Sequence, residues 1–194
     1  MNQNKMTEIK QLSDSDYHKT LKSYSNFLPH VRAILRNLKN QSIARVEESD
    51  VWSEKDEGVC IRELSNKLYD MNGKGWFCGF RVVGLDNYKT RDHIYSRDAI
   101  SKYLIQRHKV KPFTLNELER LLPILCTSIN LDSKTNKKLS EIGKEHQLTF
   151  EDYYQLKHYK LAGLELEVCP NSRKVFSSTR TEYMMELVSQ EELV

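Results

Sequence analysis

Gly75-Trp76-Phe77-Cys78-Gly79-Phe80-Arg81-Val82-Val83-Gly84, followed shortly by Arg91-Asp92-His93-Ile94-Tyr95-Ser96, is the stretch that decides the fold. The first run is aromatic and β-branched, bounded by glycines and too rich in glycine for a helix, so it reads as a strand. A polar turn at Asp86 and Asn87 follows. Asp92 and His93 then fall on a second strand, antiparallel to the first, in a small β-hairpin.

Outward from this hairpin the apolar spacing is helical. Leu12, Tyr17, Leu21, Tyr24, Leu28, Val31, Leu35 and Leu38 recur at three to five residues, which predicts two helices over 14–40 with a break at Pro29. Ile61, Leu64 and Leu68 predict a helix over 59–71, closed by a turn at Asn72-Gly73. Beyond the hairpin, helices are expected from Ala99 to Arg107 and from the capping box Thr114-Leu115-Asn116-Glu117 to Leu122, before Pro123. Two more are expected, from Asp132 or Ser133 to Lys144 and from Thr149 to Lys160. Leu164-Glu165-Leu166-Glu167-Val168 alternates strictly, as an edge strand does, and Thr181 to Leu193 reads as an acidic helix.

The 194 residues include only 7 Gly and 4 Pro, with 39% hydrophobic and 29% charged, which excludes collagen-like, low-complexity and strongly disordered classes. The expected class is α+β, mostly helical, with the hairpin and a helix as its core, flanked by further helices. Neither a membrane-spanning run nor a signal-peptide core is visible, so a cytoplasmic protein without a membrane partner is expected. Cys60, Cys78, Cys126 and Cys169 lack CxxC spacing; reduced, buried thiols and no structural zinc are expected.

Net charge is +3, yet the charges segregate. A basic helical region spans 1–45, an acidic linker with an exposed Trp52 spans 46–58, a core spans 59–163, and a strand with an acidic helix spans 164–194. Lys89, Arg91, Arg97, Lys102, Arg107, Lys109 and Lys111 crowd around the Asp-His pair, as contact with a phosphate backbone requires.

Asp92-His93-Ile94-Tyr95-Ser96, with Asn130 downstream and Lys134, Lys137 and Lys138 after it, resembles the HNH endonucleases, the ββα-metal nucleases, and particularly their phage homing type. In that family a hairpin strand carries Asp-His-Ile-(Tyr/Phe)-Ser, and a loop then reaches an Asn followed by lysines on a helix. The resemblance covers roughly 75–140. It implies a metal-dependent DNA endonuclease, intracellular and of phage or mobile-element origin, using Mg²⁺ or Mn²⁺.

The residue types suit that chemistry. A neutral imidazole is well tuned to deprotonate water near neutral pH, which makes His93 the candidate base. A hard cation takes oxygen ligands, which makes Asp92 and Asn130 the candidate metal ligands, with Asn136 the alternative to Asn130. Arg91, Arg97, Lys102, Lys134, Lys137 and Lys138 are the candidate nucleic-acid contacts. Adjacent residues on a strand face opposite ways, so Asp92 joins His93 only through a bulge or at the strand end. The family's middle Asn falls near Leu121, with Asn116 and Glu119 nearby, and a helix is inserted from Ala99. The alternatives are a non-catalytic DNA-binding or regulatory protein on the same scaffold, or a helical factor meeting a protein partner through its basic N-terminal arm or its acidic C-terminal helix.

Overall fold

Both strands of the expected hairpin form, and a third runs between them. The computed structural model describes residues 9, 11–23, 26–71, 77–85 and 90–168. Within these, β1 (Phe77–Val82), β2 (Thr90–His93), β3 (Ser128–Leu131) and β4 (Leu166–Val168) form one sheet in the order β2-β3-β1-β4. β3 pairs parallel with β1 and antiparallel with β2; β4 pairs antiparallel with the other side of β1.

The β1–β2 hairpin is thus corrected: each strand bonds to β3, not to the other. Ser128, Ile129 and Leu131 are at most 1% exposed. A short segment buried this completely needs partners for its backbone N–H and C=O groups, and the centre of a sheet supplies them on both sides. Five residues of β1, Phe77 to Arg81, lie opposite three of β3, Ser128 to Asn130, an irregularity that contains Gly79. The alternating segment after Gly163 is the edge strand its pattern predicts.

The rest is helical: α1 (Asp14–Ser23), α2 (Phe27–Glu47), α3 (Glu54–Met71), α4 (Arg97–Val110), α5 (Leu115–Leu125), α6 (Ser133–Glu145), α7 (Phe150–Tyr154) and α8 (Lys157–Leu161). The chain is α+β and mostly helical, as its composition predicts. Among the described residues side-chain caps fix six helix starts: Ser13 and Ser53 accept from the Asp16 and Asp56 N–H groups at the heads of α1 and α3, and four more act further along the chain. Ser96 accepts from the Ala99 N–H, Asp132 from that of Thr135, and Thr114/Glu117 and Thr149/Asp152 form reciprocal boxes.

Both prolines expected to stop helices lie within them. Pro29 occupies the first turn of α2, where its missing N–H has no intrahelical role. Pro123 sits inside α5, which closes two residues later where the Thr127 hydroxyl donates to the Pro123 and Ile124 carbonyls. The helix expected to run from Thr149 to Lys160 splits at Leu156, whose φ is 60°. The acidic linker is mostly helix, since α3 begins at Glu54. Trp52 is half-buried under the Arg45 guanidinium, 5.1 Å from its ring centroid, and Arg45 also grips Glu57 at 2.6 Å.

Buried residues from Ile9 to Ala162 form one hydrophobic cluster. α2 packs on α3, α4 and α5, so the basic N-terminal region shares its core with the segment beyond the acidic stretch. α1 is fastened to α5 by the Tyr17 hydroxyl on the Glu119 carboxylate at 2.5 Å and by Arg120 on Asp14 at 2.7 Å. Cys60 and Cys126 are buried free thiols, and burial pushes the Cys126 thiol up to about 12. No helix among the described residues is long and apolar enough to cross a membrane. The turns at Asn72-Gly73 and Asp86-Asn87, Cys169 and the acidic helix from Thr181 lie outside the described residues.

Candidate functional site

β2 ends at His93 and the chain turns at once into α4. The Ile94 N–H donates to the Thr127 carbonyl at 3.0 Å, pinning this turn beside the entry to β3. Ile94 and Tyr95 are 1% exposed, and the Tyr95 ring packs against Phe150 and Tyr154 with centroids 6.0 and 5.9 Å away. In Asp-His-Ile-Tyr-Ser, then, the Ile and Tyr anchor the turn in the core, the Ser caps α4, and His93 stands at the strand end.

The antiparallel β2–β3 pair runs on through the Asp132 cap into α6. Strand, strand and helix are therefore β2, β3 and α6, with α4 and α5 inserted between the strands. Asn136, Ser140, Gly143 and Lys144 lie on one side of α6, spaced as neighbours on a helix face. His93 and this face line a cleft of about 820 Å³ whose other walls include Asp98 and Lys102 of α4, Tyr153 of α7 and His158 of α8.

Burial decides the electrostatics of the cleft wall. His158 is 2% exposed, and desolvation pushes its imidazole down to about 4 against the opposing pull of the Ile94 carbonyl. Among the described residues no hydrogen bond of ordinary geometry reaches either ring nitrogen. His158 is a neutral ring at any pH near 7, packed between Tyr153 and Tyr159 at 4.8 and 4.3 Å. The Tyr153 phenol is pushed up by burial, against the pull of the Ser96 side chain and with help from the Asp98 charge. Arg97, Lys102 and Lys144 outnumber Asp98 among the charges lining the cleft.

The structure separates the expected site residues into groups. His93 lines the cleft. Of Arg91 and Asp92 the backbone alone is described: Arg91 pairs with Asn130 and Asp92 with Ile129, in unbroken register through Thr90–His93. No bulge brings position 92 into step with position 93. Asn130 lies mid-sheet, paired with Arg91 on one side and Arg81 on the other, and it is Asn136, the alternative, that lines the cleft. Neither stand-in for the family's middle Asn comes near: Glu119 binds Tyr17, and Asn116 accepts from Arg120 on the exposed side of α5.

The basic residues separate too. Arg97 lines the cleft and lies over the Tyr69 ring at 4.8 Å; Lys102 lines it and is exposed. Lys134 is exposed outside the cleft, and Lys137 pairs with Glu141 at 3.8 Å. Lys138 donates to the Ala162 carbonyl at 2.6 Å, which makes it a tie between α6 and the end of α8. Lys144, Ser140 and His158 were not anticipated. Lys144 and Ser140 follow from Asn136 at helical spacing; nothing in the sequence around His158 marks it.

The donors suit a hard cation that keeps most of its water. Asn136 and Asp98 offer oxygens and His93 a nitrogen, and a magnesium ion needs only one or two protein ligands. Among the described residues no three His, Cys, Asp or Glu side chains gather as a closed metal cage. No protein-family model, curated protein or solved structure matches the chain.

Proposed function

We propose that the chain is a metal-dependent DNA endonuclease of HNH type. The observation that carries it is that His93, at the end of β2, and Asn136, in the first turn of α6, open onto one cleft framed by strand, strand and helix. In that reading the His93 imidazole takes a proton from the water that attacks phosphorus, and the bond to one sugar oxygen breaks as the new P–O bond forms. Asn136, with the Asp98 carboxylate on the facing wall, would hold Mg²⁺ or Mn²⁺. The ion would supply charge neutralisation on the phosphate and the leaving oxygen. Lys102, Lys144 and Arg97 give the cleft the positive excess that a phosphodiester backbone needs.

Incubation of supercoiled plasmid with the protein and either metal tests this. Wild type converts plasmid to nicked and linear forms only with metal present, and His93→Ala loses at least ~100-fold in rate. Equal nicking by His93→Ala would overturn the assignment. The second reading, a DNA-binding protein without catalysis on the same scaffold, draws on the lack of a three-ligand metal cluster among the described residues and on the 8% exposure of His93. It expects salt-sensitive DNA binding that His93→Ala leaves untouched and no cleavage with either metal.

A further inference from the structure

Tyr153 reaches from α7 to both halves of the cleft. Ser96, three residues beyond His93, lines the same cleft and caps α4, the helix on which α7 is seated. The Tyr153 hydroxyl stands directly on Gly143, two turns along α6 from Asn136. A Cβ at Gly143 would overlap the Tyr153 hydroxyl oxygen and stand 3.1 Å from the ring carbon that bears it. Gly143 has an ordinary helical backbone, so the lack of a side chain serves this approach and not a turn. Tyr153 cannot swing aside cheaply. It is 9% exposed and packed on the His158 ring at 4.8 Å, and α7 itself is seated on α4.

We propose that Tyr153 is a positioning residue: its hydroxyl, socketed on Gly143, sets the separation between the turn that carries His93 and the helix that carries Asn136. This rests on the nuclease reading for its consequence in catalysis, although the spacing itself is a property of the fold. An angstrom of error in such a separation is enough to cost a reaction tens of fold, because attacking water, base and metal must be aligned together.

A four-member cycle of wild type, Tyr153→Phe, Gly143→Ala and the double variant tests it. Gly143→Ala drives the two elements apart and lowers the turnover rate for metal-dependent nicking by about 10- to 100-fold, with KM for DNA within about 2-fold. Tyr153→Phe removes the spacer and costs about 3- to 10-fold in the same quantity. In the double variant the new methyl fills the space the hydroxyl leaves, and the rate returns above that of either single variant. The second readout is the ring-nitrogen NMR shifts of His93 in all four proteins: displaced in Gly143→Ala and restored in the double variant. Purely structural damage would lower thermal stability and accumulate in the double variant. Additive losses, or His93 shifts that fail to return, would overturn the proposal. If wild type cuts no DNA, the nuclease reading falls, and the His93 shifts still decide the spacing. If Gly143→Ala does not fold, a soluble double variant with restored His93 shifts supports the socket, and an unfolded double variant sinks it.

Discussion

His93, the last residue of β2, and Asn136, in the first turn of α6, open onto the same cleft, although two helices separate them along the chain. β3 makes this possible. It lies against β2 and, after α4 and α5 have brought the chain back to the sheet, delivers it to α6 through the Asp132 cap.

Charge on the two walls should appear in DNA binding. Lys102→Ala and Lys144→Ala each reduce the slope of log affinity against log salt by about 0.9, measured by anisotropy of a labelled duplex. Lys138→Ala leaves that slope unchanged, because its ammonium is held on the Ala162 carbonyl. The reverse pattern would remove the cleft from the binding surface.

Acid should destabilise the fold through its buried histidines. His158 is held down at about 4 by burial, and His108 is lowered by burial and by the nearby Lys39 and Arg107 charges. The Nδ1 of His108 also accepts the Phe113 N–H at 3.0 Å, which it can do only while neutral. The unfolded chain binds these protons more readily than the native one. Stability is therefore complete above the ordinary histidine value of 6.5 and declines as pH falls toward about 4. For His158 the full effect is of order 3 kcal/mol. Urea unfolding at pH 7.5 and 4.5 checks it: His158→Gln flattens the acid loss, and an unchanged slope would contradict the assignment.

The strap between α1 and α5 is a third test. The Glu119 carboxylate, 8% exposed, accepts the Tyr17 hydroxyl, and this bond chiefly pushes the phenol up to about 12. Tyr17→Phe leaves a largely buried carboxylate short of a donor and costs about 1–3 kcal/mol, read as a lower urea midpoint. A midpoint within error of wild type would show that α1 is held by packing alone.

How much of this was legible in the sequence follows from what is local. Helix starts were, because Thr114/Glu117, Thr149 and Asp132 satisfy backbone donors within their own first turn. β1 and β4 were, because composition and alternation are local as well. β3 was not: four residues between a helix end and a helix cap carry no periodicity, and their strand character comes from β1 and β2 on either side. With β3 unseen, the nearest partner for β2 was β1. Pro29 and Pro123 misled because a proline breaks a helix only where its N–H or ring conflicts with the turn before it. His158 was invisible because its place in the cleft depends on the chain reversal at Leu156, a residue with no side-chain preference for positive φ.

Metal-dependent nicking of supercoiled plasmid by Asn136→Ala and Asn130→Ala, beside wild type, tests the assignment of the site most directly. Wild type and Asn130→Ala cut with Mg²⁺ or Mn²⁺ at rates within about 5-fold of each other, and Asn136→Ala falls by about 100-fold. No metal-dependent cutting by wild type on supercoiled, linear or single-stranded DNA, or loss in Asn130→Ala with Asn136→Ala intact, would contradict it.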